Sequence, residues 1–127
     1  MARVSGISAA LPPPAGPYSH AVRIGELAHV AGQVGVLPQT GQAVGPRCRE
    51  QTQQALANLG AALATIGATA DDVLRCGVYL TELDDFAEMN EEYAAFFGAP
   101  YSARTTVYVG LPSGLRVEID ALVVLYR

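Results

Sequence analysis

The chain contains no lysine: all eight of its basic residues are arginines, scattered from Arg3 to Arg127. That excludes a lysine Schiff base, and with it covalently bound pyridoxal phosphate and lysine-dependent aldolase chemistry. Twelve acidic residues bring the net charge to -4, and the pI is near 5.0. With no cluster of positive charge to grip phosphates, the chain is not expected to bind nucleic acid. Long apolar runs are also missing. No stretch approaches the roughly 18 residues that would span a bilayer, and no basic head followed by an apolar segment opens the chain. Neither a membrane partner nor a signal peptide is expected, which points to the cytoplasm. Cysteine is scarce: Cys48 and Cys76 form no CxxC and have no histidine at metal spacing. They read as free thiols, and no metal site is expected. Cys76 lies in an apolar strand pattern and reads as a small hydrophobe. Cys48 lies near a helix start, where a thiol pKa can fall.

What is present suggests one globular domain over residues 1–127, half of them hydrophobic. Arg3–Ile7 reads as a short strand. Leu11-Pro-Pro-Pro-Ala-Gly-Pro17 must be extended or turned, since proline fixes φ and restrains the residue before it. Ala21–Ile24 and Leu27–Ala31 read as a hairpin around Gly25-Glu26. A helix follows, with Pro46 suited to its first turn and Gly67 to a left-handed C-cap. Ala55, Leu56, Leu59, Ala62, Leu63 and Ile66 recur at helical spacing and form its buried stripe. Val73–Leu80 reads as a strand. Asp85 with Glu88 has the spacing of a capping box for a second helix ending near Phe97. That helix carries an apolar stripe of Phe86, Met89, Tyr93 and Phe97, with Asn90 on the same stripe needing partners for its amide.

Two more strand-like runs flank the turn Leu111-Pro-Ser-Gly114. In the first, Arg104, Thr106 and Tyr108 alternate with Thr105, Val107 and Val109; in the second, Arg116, Glu118 and Asp120 alternate with apolar residues from Leu115 to Leu125. Side chains alternate faces along a strand. If the two runs pair, an arginine and a carboxylate share one sheet face, which suggests a small site for an anionic ligand. The order strands, helix, strand, helix, strand, strand argues an α+β fold, with two helices on one face of a mixed sheet. The opposite face would then hold Arg104, Thr106, Tyr108 and Glu118. It is too polar for a monomer core and suits a subunit interface. Arg116 and Asp120 are expected at that interface or in solvent. His20 and His29 have no triad partner at a recognisable spacing, and His29 reads as structural.

Several segments occur together in one order. They are Gly16-Pro17-Tyr18-Ser19, Ala31-Gly32-Gln33-Val34 before Pro38-x-Thr-Gly41, Gln54-x-Leu-x-Asn58-Leu and Asp72-Val-x-x-x-x-Val78-Tyr-Leu. Asp85-Phe-x-x-x-Asn90-x-x-Tyr93-x-x-Phe-Phe97, Ser102-Ala-Arg104-Thr-Thr106, and Leu111-Pro112 with Val117-Glu118-Ile complete the set. Over essentially its whole length the chain resembles the RidA/YjgF reactive-intermediate deaminases.

The resemblance implies a chorismate-mutase-like (YjgF) fold assembled as a homotrimer, with sites between subunits and no cofactor. It implies hydrolysis of enamine or imine acids such as 2-aminoacrylate to 2-keto acids and ammonia, a 2-iminobutanoate/2-iminopropanoate deaminase-like activity in metabolite damage control. By motif, Arg104 would hold the substrate carboxylate as a planar bidentate donor. Glu118 would orient or deprotonate the attacking water, and Tyr18 would hydrogen-bond the substrate. Gly32 would allow a close backbone approach, Asn90 would support the site, and Thr106 would line it. Relatives commonly carry Gln in place of His20, Ser in place of Ala31, Pro in place of Ser102 and Cys in place of Thr106; these differences bear on substrate range. The alternatives are a keto-acid-binding sensor or chaperone using the same cleft, and a pathway-specific member acting on a larger imine. Ribonuclease activity, attributed to some relatives, fits poorly with an acidic chain that has no basic stripe.

Overall fold

Every second side chain of Val117–Val124 is buried, so this strand presents one face to a core and the other away from it. The computed structural model describes residues 2–126. It orders them as β1 (Val4–Ser5), β2 (Ala21–Ile24), β3 (Leu27–Val34), α1 (Cys48–Thr65), β4 (Val73–Leu80), α2 (Phe86–Phe97), β5 (Ala103–Tyr108) and β6 (Val117–Val124). The strands form one sheet in the order β1-β2-β3-β6-β4-β5. All neighbours are antiparallel except β4 and β5, which run parallel. The expected α+β architecture, a mixed sheet with two helices on one face, is therefore present.

The core lies between that face and the helices. Ala55, Leu56, Leu59, Ala62 and Leu63 of α1, followed by Ile66, pack with Val30, Val78, Leu80, Ile119 and Val123 of the sheet and with Met89 and Tyr93 of α2. Each fully buried aliphatic side chain contributes about 1.5–3 kcal/mol of burial. The α1 stripe is as its spacing predicts. Its C-terminus is also as expected: Gly67 has φ +75°, and the Gly67 and Ala68 amides donate to the carbonyls of Ala64 and Leu63. This pairing closes the last turn. The N-terminus differs. The helix begins at Cys48 after an Arg47 N-cap, so Pro46 lies ahead of the first turn.

Two polar residues of α1 are buried with the core and fasten loops to it. Gln51 donates to the Gly45 and Gly114 carbonyls and accepts the Arg116 amide. Asn58 donates to the carbonyls of Val34 and Val36. These bonds fix the end of β3 and the approach to β6.

Two expectations about pairing and capping fail. The runs now seen as β5 and β6 do not pair, because β4 lies between them. Asp85 precedes α2 in helical conformation and makes no side-chain cap. Its carboxylate instead accepts from Arg116 Nε at 2.8 Å and Nη2 at 3.0 Å. A buried carboxylate gains more from a planar two-point cation than from one helix amide. This places Arg116 in an ion pair rather than in an interface or in solvent. Arg116→Ala should leave the Asp85 carboxylate, 8% exposed, without its cation. The expected cost is about 2–3 kcal/mol, below the range for fully buried pairs because Arg116 is partly exposed. Denaturant unfolding should show it as a lower midpoint with an unchanged slope.

Candidate functional site

Arg104 is set by its register on β5. It lies beside Cys76 of β4, and Cys76 faces the helices. The guanidinium therefore emerges on the helix side, at the open edge of the sheet. Its carbon sits 4.8 Å from the Tyr93 ring centroid and 5.7 Å from that of Phe86, and Nη1 lies 3.9 Å from Met89 Sδ. Cation–π contact and stacking hold the arginine without neutralising it. Among the described residues no carboxylate pairs with it. Burial, together with a hydrogen bond to Cys76, pushes the Tyr93 hydroxyl up to about 12, so the ring beneath Arg104 stays uncharged. Arg104 opens into a cleft of about 530 Å³ lined with Asn90, Tyr93, Ala94, Tyr101 and Ser102. The Asn90 side-chain amide has no hydrogen-bond partner among the described residues, so it is available to whatever enters. Thr106 follows Arg104 on the same face and is half-buried, outside the set that lines the cleft.

Glu118 belongs to the other face. It lies opposite Tyr79 of β4, and the register places Tyr79, Glu118 and Asp120 together on the side without helices. Arg104, Thr106 and Tyr108 therefore do not share a face with Glu118, contrary to the expectation from β5–β6 pairing. The Glu118 side chain lies across Gly32. A Cβ built on Gly32 would stand 2.7 Å from Glu118 Cδ and 2.9 Å from Cγ. The missing side chain thus makes room for the carboxylate, rather than only for a ligand approaching the backbone. Gly32 lies where β3 slips register against β6, between Val30 and Gln33. Such a bulge re-aims the chain beside it. Burial, and then the Asp120 charge, push the Glu118 carboxyl upward. No described donor hydrogen-bonds it.

Tyr18 lies in the proline-rich loop that crosses this region, half exposed, with its hydroxyl accepting the Ala15 amide at 3.3 Å. The loop is fastened by His20, which is nearly buried. Its Nε2–H donates to the Pro12 carbonyl at 2.7 Å, and its Nδ1 accepts from Gln33 Nε2 at 3.1 Å. Gln33 also donates to the Ala31 carbonyl, which fixes the amide and hence the imidazole tautomer. Tyr18, His20, Gly32 and Gln33 line one cavity of about 190 Å³. The structure thus brings Arg104 together with Asn90 in one cleft, Tyr18 together with Gly32 in another, and lays Glu118 over Gly32 from β6.

The sequence reading missed three contributions. Tyr93 and Phe86 looked like plain core yet cradle Arg104. Gln33 was seen only as part of a motif. Asp120, expected in an interface or in solvent, accepts hydrogen bonds from the Gly77 amide and the Tyr79 hydroxyl. Two faces of the Cys48 environment also differ from expectation. Burial raises the thiol pKa rather than lowering it. Cys48, Asp85 and Glu88 bring possible ligand atoms within 4.8 Å of one another, but Arg116 already occupies both Asp85 oxygens.

The profile of the family described as Endoribonuclease L-PSP matches residues 8–125. A RutC family protein of Pyrococcus abyssi is 42% identical over 112 residues, 87% of this chain and 88% of that protein. A Dermatophagoides farinae protein named 2-iminobutanoate/2-iminopropanoate deaminase is 37% identical over 115 residues, covering 90% of each. The crystal structure of RidA from an Antarctic Psychrobacter superimposes with a TM-score of 0.91 at 34% identity, covering 95% of this chain and 98% of that one.

His20→Ala should release the loop. The Pro12 carbonyl and the Gln33 amide would each lose a partner, at about 1–3 kcal/mol, and amide exchange over residues 15–20 should accelerate. His20→Gln, which restores one donor and one acceptor, should recover most of the protection.

Proposed function

The chain belongs to the Endoribonuclease L-PSP family, the family of the RidA/YjgF deaminases. From this premise we propose that it hydrolyses small enamine and imine acids of the 2-aminoacrylate type to 2-keto acids and ammonia. The observation that carries this reading is Arg104, a guanidinium without an acidic partner that opens into a cleft beside the unpaired Asn90 amide. Such a fork suits a carboxylate. Relatives named 2-iminobutanoate/2-iminopropanoate deaminase support the reaction class. An acidic chain with no lysine argues against RNA as the substrate.

Within one chain the carboxylate clamp and the proton carrier stand on opposite sheet faces. One small substrate needs both, so the reading requires a second copy to bring its Tyr18, Gly32 and Glu118 to the Arg104 cleft of the first. The sheet face without helices supports such an assembly, since Val22, Ile24, Leu27, Leu122 and Val124 put apolar side chains on it. A homotrimer is the form we propose.

In the proposed reaction the enamine first takes a proton from solvent at its terminal carbon and becomes the iminium. Arg104 holds the carboxylate. Water adds to the iminium carbon as Glu118 takes one of its protons, giving a carbinolamine. Glu118 gives that proton to nitrogen, and as the carbon–nitrogen bond breaks the hydroxyl loses its proton to Glu118, which returns it to solvent; ammonia leaves with the keto acid behind. The substrate already hydrolyses in water, so positioning and one proton carrier are enough.

The test couples the protein to an enzyme that releases 2-aminoacrylate and follows keto-acid formation against semicarbazide trapping. Glu118→Gln should lower kcat/KM about 100-fold or more. Arg104→Ala should do at least as much, and Arg104→Lys should not rescue it, because an ammonium cannot present the planar fork. No acceleration by assembled wild-type protein with any small imine would remove the proposal. The Arg104 cleft carries its binding groups without Glu118, which favours keto-acid binding without catalysis as the second reading. Calorimetry of a keto acid on Glu118→Gln, with an inactive wild type, would select it. Gly32→Ala should push the flexible Glu118 carboxylate aside, cutting kcat at least about tenfold while leaving thermal unfolding nearly unchanged.

A further inference from the structure

Glu118 has a second carboxylate beside it that the reaction above does not use. Asp120 lies two residues along β6 on the same face, about 7 Å away by strand geometry. It is not a mobile surface acid. Oδ1 accepts the Gly77 amide at 2.8 Å, and Oδ2 accepts the Tyr79 hydroxyl at 2.8 Å. Gly77 has the residue type this requires, because a Cβ there would stand 2.6 Å from Asp120 Oδ1 and 2.8 Å from the Tyr79 oxygen. The carboxylate fills the space a side chain would need. Tyr79 in turn lies opposite Glu118 and reaches diagonally to Asp120. The bond to Asp120, and then burial, raise its pKa, so it remains a donor.

We propose that Asp120, held by the Gly77 amide and the Tyr79 hydroxyl, is a positioning residue whose fixed negative charge keeps Glu118 a proton carrier, able both to take a proton from water and to return it to departing ammonia. This rests on the deaminase reading. An isolated exposed glutamate at neutral pH is a weak base that stays ionised, and gives a proton back poorly. A second anion held nearby, with no cation between, makes the first carboxylate bind protons more tightly. The groups facing Glu118 fit this. From β6 comes Asp120, from β4 Tyr79 with Arg75 further along, and from β3 His29 beyond Gly32, which contributes no side chain. Neither Arg75 nor His29 pairs with Glu118 among the described residues. The upward displacement of the Glu118 carboxyl, caused first by burial and then by Asp120, agrees in sign.

The sign of the effect follows. Glu118 must be ionised to take a proton from water, so the acid limb of kcat/KM rises with pH through its titration. Removing the Asp120 charge should move that limb to lower pH, by about one unit for charges at this spacing in a partly screened site.

Asp120→Asn is the variant of choice, since the amide oxygen can still accept from Gly77 and the Tyr79 hydroxyl can turn to accept from the amide nitrogen. The Glu118 carboxyl carbon is followed by NMR against pH, assigned with Glu118→Gln, alongside the pH–rate profile and sedimentation of the assembled protein. Support is a Glu118 midpoint and an acid limb that both fall by about one unit in Asp120→Asn, with Tyr79→Phe, which keeps the charge, shifting both by less. An unmoved midpoint in assembled Asp120→Asn overturns the proposal and leaves the deaminase reading standing. An equal shift in Tyr79→Phe also overturns it, because charge would not be the cause. A midpoint that falls in a protein that accelerates no imine hydrolysis overturns the deaminase reading, and the catalytic role of Asp120 with it.

Discussion

The arrangement of this molecule depends on one constraint, the register of β4 against β5 on one side and β6 on the other. Neighbouring residues of a strand point to opposite faces, and Cys76 and Gly77 of β4 divide the chemistry accordingly. Cys76 faces the helices and fixes Arg104 beside it on that side; Gly77 faces away and receives Asp120, with Glu118 one step along. Through Cys76 the arginine is in phase with Ala121, a buried position of β6, and so one residue out of phase with Asp120 and Glu118. With that register, each chain holds two separate groups. The Arg104 group is built on the edge strand and on α2, where Tyr93 and Phe86 support the guanidinium. The Glu118 group is built on the centre of the sheet, where a strand-register slip and two glycines make room for two carboxylates.

Those glycines act through what they omit. Gly32 on β3 and Gly77 on β4 flank β6 on the same sheet face, and an acidic side chain of β6 lies over each. A Cβ at either would meet a carboxylate before it met a ligand. The acidic pair is also held unequally. Asp120 has a donor on each oxygen, and Glu118 has none among the described residues. Fixing one carboxylate and leaving its neighbour free is a physical route to one stationary charge and one titrating group. The proline-rich loop with Tyr18 is kept beside Gly32 by His20, whose two ring nitrogens are both engaged.

Local patterns in the sequence were legible. The bounds of Val73–Leu80, the buried stripe of α1, the left-handed Gly67 and the helices on one face all follow from spacing and residue type, because each is decided within a few residues. The motif order identified the family. What was not legible was decided at long range. Nothing in Ala103–Tyr108 or Val117–Val124 says whether they pair with each other or with a third strand, and the facing of Arg104 follows from its register against that third strand. Asp85 has the spacing of a cap, but Arg116, 31 residues away in sequence, offers it two donors and wins. Asp120 looked like a surface acid because its partners, Gly77 and Tyr79, lie on another strand.

The same topology bears on why a reaction this undemanding would use so elaborate an arrangement. On the deaminase reading, substrate binding belongs to one copy and proton transfer to the next, so a lone chain can hold a carboxylate yet do little to it. Assembly then has two effects. It joins clamp and proton carrier, and it covers the apolar end of the sheet face, drying the Glu118 neighbourhood further. Drying strengthens the mutual influence of Glu118 and Asp120, since charges interact more strongly as water leaves. The proton affinity that suits Glu118 to its part is thus coupled to the contact that brings it to the substrate. Binding, proton transfer and assembly all trace back to which face of β4 each neighbouring side chain meets.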